Sequence, residues 1–293
     1  MHILGVLAYD DSVLGEVTEL QMALERKGYT VHLEQLGQAT HPAGFGYFEE
    51  DSLILWLGRC YNDPARCQEI AAKYVEAGTD LIVAIKPQAV IAALETTSNA
   101  QTPIVFMKVS DPLLEGLPID SEGVRERLTG VCDSWQNLSS ERLSLLTQVV
   151  PAPSTVHIFT DTSKPICADE FQRLSSAAGQ LGIELILHSV HDEKGAVHEI
   201  TFLQAHSDHA ILRTSDASFE TYSVLMGATA REKSIPYAGV NVDEMERCGA
   251  ILTLARRGSA NQAAVLVERI LKGEQPKDLP YLEPDGRSLG VNL

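Results

Sequence analysis

Nine apolar runs recur along the chain: HILGVLA from residue 2, TVHLEQL from 30, LILWLG from 53, DLIVAI from 80, PIVFMKV from 103, TVHIFT from 155, IELILHSV from 183, HAILRT from 209 and PYAGVN from 236. Each is followed by a polar turn, and many of the intervals carry helical periodicity. Val13, Val17, Leu20 and Leu24 keep to one face of a helix. A second helix is predicted to start at Asp63 as N-cap, with Pro64 in its first turn, and to bury Cys67, Ile70, Ala71 and Tyr74. Near-continuous apolar strands alternating with helices imply parallel sheets covered on both faces. The predicted class is α/β.

The pattern also repeats. HILGVLAY, Asp10-Asp11-Ser12, a helix, Gly28 and YTVHLEQL are matched by TVHIFT, Asp161-Thr162-Ser163, a helix, Gly182 and IELILHSV. Gly28 and Gly182 stand where each helix would stop in a left-handed cap. Two similar doubly wound lobes are therefore expected, with a boundary between Arg127 and Asn137. A chain of 293 residues is long enough for both. Residues 37–51, GQATHPAGFGYFEED, have no periodicity and read as a surface loop or flap, with a ligand-covering lid as the alternative.

Charge narrows the function. The chain has 23 basic and 40 acidic residues, a formal net charge of −17. Such a surface disfavours nucleic acid and anionic lipid as partners. No apolar run approaches the roughly 20 residues that span a bilayer, so no direct membrane insertion is expected. The start, MHILGVLAYDD, has neither the basic region nor the cleavage site of a signal peptide and reads as a strand.

Ligands of open parallel sheets bind outside the carboxyl ends of the strands. The polar residues expected there are Tyr9, Asp10, Asp11 and Ser12, then Lys86, Pro87 and Gln88, then Ser110 and Asp111. In the second half they are Trp135, Asp161, Thr162, Ser163, Thr214, Ser215, Asp216 and Asn241. Lys86 before Pro87 joins an ammonium group to free backbone amides, a combination suited to a carboxylate. Asp10, Asp111, Asp161 and Asp216 are the candidate acceptors for a ligand's amino group, and pairing of Lys86 with Asp111 is the plainer alternative.

Catalytic signatures are sparse. No GxGxxG follows the first strand, and GxxxxGK[ST], GxSxG and HExxH are absent. The groups His188, His191, His198 and His206, His209 read as loop histidines rather than a metal site. No cofactor and no catalytic residue is assigned. The five cysteines (60, 67, 132, 167 and 248) form no CxxC and read mostly as buried residues, with a Cys60–Cys67 bridge left open. A racemase would need one exposed cysteine in each lobe, and Cys132 and Cys167 both fall in or near the second module.

One resemblance covers nearly the whole chain. DLIVAIKPQAVIAALETTSNAQTPIVFMKVSDPLLEGL, then LTGV, ERLSLLTQVVP, TVHIFTDTSKP, IPYAGVNVDEMERCGAILTLA and VERILKGEQPKDLPYLEPDGRSLGVNL resemble, in that order, the ABC-transporter substrate-binding family with tryptophan- and tyrosine-type members. The resemblance implies a type I periplasmic-binding-protein fold: two doubly wound parallel-sheet lobes joined by three crossovers. Lobe one would hold 1–127 plus 250–280, and lobe two 128–249 plus 281–293. It also implies capture of a small polar ligand, an amino acid or other carboxylate, in an interlobe cleft that closes by hinge motion, with an ABC permease as partner. A sensor input domain of a signalling or regulatory protein is the second reading, and a pseudo-symmetric racemase-like enzyme the third. The expected location is extracytoplasmic, periplasmic or lipid-anchored, if an export segment was removed, and cytoplasmic otherwise. The chain departs from the family in carrying Lys86-Pro87-Gln88 where small hydroxyl residues are usual, in the insertion-like stretch 37–51, in lacking a lipoprotein signal, and in ending at Leu293 where relatives continue into a helix.

Overall fold

The apolar runs become the strands of two sheets. The computed structural model describes residues 1–36, 51–121, 123–148 and 152–292, so the expected flap at 37–51 lies, except for Asp51, outside the described residues. In chain order the first elements are β1 (His2–Ala8), α1 (Leu14–Arg26), β2 (Thr30–Gln35), β3 (Ser52–Arg59), α2 (Pro64–Glu76), β4 (Leu81–Ile85), α3 (Pro87–Thr96), β5 (Ile104–Val109), α4 (Val124–Arg127) and β6 (Leu128–Cys132). There follow α5 (Gln136–Leu146), β7 (Thr155–Thr160), α6 (Pro165–Leu181), β8 (Glu184–Ser189), α7 (Glu193–Thr201), β9 (His209–Arg213), α8 (Ser223–Lys233), β10 (Tyr237–Gly239), α9 (Asp243–Cys248), β11 (Leu252–Arg257), α10 (Ser259–Leu271) and β12 (Gly286–Val291).

The chain divides into Met1–Asp133 with Gly258–Asp285, and Ser134–Arg257 with Gly286–Leu293. These limits differ from the expected 127, 250 and 280 because two strands were not foreseen. β6 is short but pairs with β5, which keeps it in the first unit, and β11 pairs with β10 and β12 in the second.

In the first unit the order is β2-β3-β1-β4-β5-β6, parallel throughout. Alternation along β1 sends Leu4, Val6 and Ala8 to one core, with α1 and α10, and Leu7 to the other, with α2 and α3. Tyr74 of α2 shows how tightly that second layer sits. Its ring lies over Gly5, where an added Cβ would stand 2.5 Å from it, and its hydroxyl over Gly58, where an added Cβ would stand 2.6 Å from the oxygen. Its hydroxyl lies between the carbonyl oxygens of Trp56 at 2.7 Å and Val6 at 3.0 Å. Asp63 caps α2 by accepting from the Ala65 amide at 2.9 Å, with Pro64 in the first turn. Cys60 and Cys67, both fully buried, are joined by a disulfide that staples the end of β3 to this helix.

In the second unit the order is β12-β11-β10-β9-β7-β8, parallel except for the antiparallel pair β11–β12. One core lies with α5 and α6 and the other with α7 and α8. The repeat is real at the helix ends: Gly28 follows α1 at φ 96°, and Gly182 closes α6 at φ 71°.

Two side-chain expectations need correction. His188 and His209 are not loop residues: they lie on β8 and β9, beside His157 of β7, and strand pairing sets the three rings side by side, while His198 lies within α7. Cys132 is not part of the second module, because it ends β6 of the first unit.

The bridge yields a direct test. Cys60→Ala with Cys67→Ala should lower the unfolding free energy by about 2–3 kcal/mol, the loop-closure value for so short a loop. Urea unfolding of the oxidised protein and the double variant measures it, and equal midpoints would show that the bridge contributes nothing.

Candidate functional site

A doubly wound sheet has one place where successive connections leave in opposite directions, and the loops there diverge to form a crevice. In the first unit that place lies between β1 and β4, and in the second between β7 and β9. Both are occupied by a lysine, an aspartate and a serine.

In the first unit Asp10 follows β1 and caps the next turn. Its Oδ1 accepts from the Ser12 amide at 2.9 Å and from Ser12 Oγ at 2.6 Å. Lys86, the residue after β4, donates to Asp10 Oδ2 at 2.6 Å and to Ser12 Oγ at 3.0 Å. Burial pushes the Asp10 carboxyl up, but hydrogen bonds from Lys86 and Ser12 and the lysine charge outweigh it and hold its pKa below the ordinary value. Lys86 has φ 81° and ψ 152°, a conformation rarely adopted outside glycine. Its partner is thus Asp10, and the alternative pairing with Asp111 is corrected. Asp111 instead caps its own turn, accepting from the Leu113 and Leu114 amides at 3.0 Å.

The second unit repeats the set with the strands exchanged. Lys164, which precedes Pro165 as Lys86 precedes Pro87, reaches Asp216 Oδ2 at 3.3 Å and Ser218 Oγ at 3.0 Å. Asp216 Oδ1 accepts from the Ser218 amide at 3.0 Å and from Ser218 Oγ at 2.6 Å. Asp161 forms a third such turn, bonding Ser163 through its amide at 3.1 Å and its hydroxyl at 2.6 Å, and takes His191 Nδ1 at 2.8 Å. The Ser163 hydrogen bond, aided by His191 against partial burial, keeps the Asp161 pKa low.

The other expected residues scatter along the same rims. Tyr9 donates to the Asn62 carbonyl at 3.2 Å. Asp11 is taken by Arg59 at 2.5 Å and does not join Lys86. Gln88 is exposed in the first turn of α3. Thr162 Oγ1 lies 3.2 Å from Ser189 Oγ. The Trp135 carbonyl accepts from Ser215 Oγ at 3.2 Å. A cavity of about 520 Å³ beside the ends of β2 and β3 includes Arg59, Tyr61, Arg66 and Lys73, and shares no residue with the Lys86 cluster.

Beneath the second rim lies a buried polar layer that pattern reading missed. Glu244 accepts from Arg213 Nη2 at 2.7 Å and Nε at 3.0 Å, from Tyr237 Oη at 2.6 Å, and from the Val240 and Asn241 amides at 3.0 Å and 2.9 Å. Burial raises its pKa and the Arg213 bonds and charge more than reverse that, leaving it low. Glu170 accepts from the Ser215 amide at 2.9 Å and from Ser139, which also takes Arg142. The loop 214–216 is thus held from below by ions rather than by packing alone.

Some residues were legible only in part. Lys164 and Ser218 could have been found from the repeated Lys-Pro step and the third Asp-x-Ser. Glu115 gave no signal: it folds back so that its Oε2 accepts the Ser110 amide at 2.6 Å, and burial lifts its pKa to about 7 against the help of the Ser110 and Asp111 amides. Burial likewise pushes the Cys132 and Cys167 thiols up to about 12, so both are protonated at neutral pH. Among the described residues no group of three His, Cys, Asp or Glu could hold a metal ion, and no helix is long and apolar enough to cross a membrane.

Two doubly wound units linked by three chain crossings, each with a polar rim at its switch point, define a type I periplasmic-binding-protein fold. The family model for ABC transporter substrate binding proteins matches residues 46–293, and the chain belongs to that family. Its role is solute binding. The chain is similar to the tyrosine-binding protein of Clostridioides difficile (strain R20291), at 23% identity over 253 residues, 84% of this chain and 70% of that one. Among solved structures it is similar to an ABC domain in complex with L-Trp from Streptococcus pneumonia, with TM-score 0.70, 15% identity and coverage of 100% of this chain and 92% of that one. A conserved domain protein from Vibrio cholerae gives TM-score 0.70 and 20% identity over 99% of this chain and 90% of that one.

Glu115 makes the first rim sensitive to pH. Its carboxyl is harder to ionise in the fold than in the open chain, so its contribution falls as pH rises from about 4.5 through about 7. Glu115→Gln should therefore match the wild type near pH 4 and exceed it by about 1–3 kcal/mol at pH 8. Unfolding curves at the two pH values decide it, and a gap independent of pH would contradict the assignment.

Proposed function

We propose that this chain captures an amino acid outside the cytoplasm and delivers it to an ABC permease. The observation that carries the reading is the pair of lysine–aspartate–serine clusters, Lys86–Asp10–Ser12 and Lys164–Asp216–Ser218, one at each switch point. Each offers donors and acceptors of both signs within a few ångströms, which matches the ammonium and carboxylate of a zwitterion. A neutral sugar would offer these charges no opposite partner of its own and would gain only neutral hydrogen bonds from them. Tyr9 and Trp135, half-buried on the rims, supply surface for an apolar or aromatic side chain. The relatives named for tyrosine and solved with L-Trp support the same class.

In this reading Lys86 and Asp10 exchange part of their mutual bond for the ligand, so binding is a swap between ion pairs. Lys86, Asp10, Ser110, Asp111 and Gln88 form the first rim, with Tyr9 and Asp11 at its margin. Trp135, Asp161, Thr162, Ser163, Asp216 and Asn241 form the second. The buried Cys60–Cys67 disulfide supports an extracytoplasmic location, since such bridges persist in oxidising compartments.

A thermal-shift screen of the twenty amino acids against a panel of monosaccharides tests the class, because a ligand that binds only the native state raises Tm by mass action. At least one amino acid at millimolar concentration should raise Tm and no sugar should. Calorimetry with that amino acid then tests the site: Lys86→Met should weaken binding about 10–100-fold, the loss of a charged hydrogen bond. Unchanged affinity would remove Lys86 from the site, and a sugar as the sole hit would overturn the ligand class.

A further inference from the structure

Three histidines of the second unit form a structure that ligand binding does not require. His157, His188 and His209 stand on neighbouring strands β7, β8 and β9. His188 Nε2 lies 3.0 Å from His157 Nδ1, and His157 Nε2 lies 2.9 Å from His209 Nδ1. At one end His188 Nδ1 meets Glu199 Oε2 of α7 at 2.9 Å. At the other, His209 Nε2 is 3.9 Å from Asp208 Oδ1, beyond hydrogen-bond reach, and the His206 ring stands edge-on to His209. Phe159 stacks on His188 at 4.5 Å, and the central His157 is 1% exposed. Glu199, Asp208 and His206 are the titratable groups that face the row, and Asp208 itself accepts from Ser154 Oγ at 2.5 Å.

Each contact between two ring nitrogens has room for one proton. An ionised Glu199 can only accept, so His188 carries its proton on Nδ1 and its Nε2 accepts. His157 must then donate from Nδ1 and accept at Nε2, and His209 must donate from Nδ1. A single carboxylate on α7 thereby sets three tautomers in sequence. His209 Nε2 is the basic nitrogen left over, and it faces Asp208.

We propose that this row is a proton-ordered relay whose three tautomers are fixed in sequence by Glu199, and that a proton on the central ring breaks it. A proton added to His157 Nε2 would set two N–H groups against each other in a buried site. Burial, reinforced by repulsion from His188 and His209, pushes the His157 pKa down to about 4. Between that value and the ordinary imidazole range the unfolded chain holds a proton that the native one refuses. The stability tied to the row is therefore whole above the ordinary range and is lost as pH falls towards 4. Because Ser189, which touches Thr162, ends β8 directly after His188, and His191, which touches Asp161, lies two residues beyond it, acid damage to the row would begin directly below the rim.

Long-range proton–nitrogen spectra of the full chain labelled with nitrogen-15 histidine test this without any ligand. At pH 7.5 all three rings should be Nδ1–H tautomers, and on titration to pH 5 His157 should stay neutral. Glu199→Lys changes a side chain that is 45% exposed and presents only a donor to His188. It should flip all three rings to Nε2–H, including His209, two rings away. An Nε2–H or mixed His157 in the wild type, a His157 that titrates above pH 6, or tautomers that ignore Glu199→Lys would each overturn the relay.

Discussion

The divergence of two neighbouring connections at the centre of a parallel sheet leaves a crevice lined by backbone amides and strand ends, and something polar must fill it. In both units of this chain a lysine reaches across from the loop after one strand to an aspartate on the loop after its neighbour. The sheet order dictates where these loops lie, and the Asp-x-Ser turns dictate which carboxylate oxygen is left for the lysine. In the first unit the arrangement holds Lys86 at φ 81°, a conformation that costs about 1–3 kcal/mol outside glycine. Pro87 at the next position, the hydrogen bond that the Lys86 amide donates to the Met107 carbonyl and the pair with Asp10 fix it there.

The two rims are supported differently. Under the first are apolar layers, with Tyr74 locked over Gly5 and Gly58 and the Cys60–Cys67 bridge tying β3 to α2. Under the second are charges: Arg213 on Glu244, and Arg142 with Ser139 on Glu170, which together hold the loop through Ser215. Buried ions of this kind are costly to desolvate and costlier still to leave unpaired, so they specify one geometry rather than adding much net stability. The second rim therefore tolerates conservative change poorly beneath its surface. The histidine row adds a dependence on acid to the second unit.

How much of this could be read in advance follows from the range of each interaction. The strands at 2–8, 81–85 and 155–160 were plain because a parallel strand buried on both faces is apolar at nearly every position. β6, LTGVC, and β11, LTLARR, were passed over because they are short or end in charge, and that shifted the lobe limits by several residues. The capping aspartates were legible because a cap and its turn are local. Which lysine met which aspartate was not, since Lys86 and Asp10 are far apart in sequence and become neighbours only through strand order. The same holds for His157, His188 and His209: each looks unremarkable in its own segment, and only pairing of β8, β7 and β9 lines them up. Family resemblance carried the function further than spacing did, because solute binding leaves no catalytic motif to find.

Capture of a zwitterion is most directly tested by native mass spectrometry of the protein incubated with an equimolar mixture of amino acids and monosaccharides at low ionic strength. Amino-acid capture predicts one adduct per chain whose mass is that of an amino acid, lost when the protein is sprayed from denaturing solvent. A monosaccharide adduct in its place, or the bare chain mass alone throughout, would contradict it.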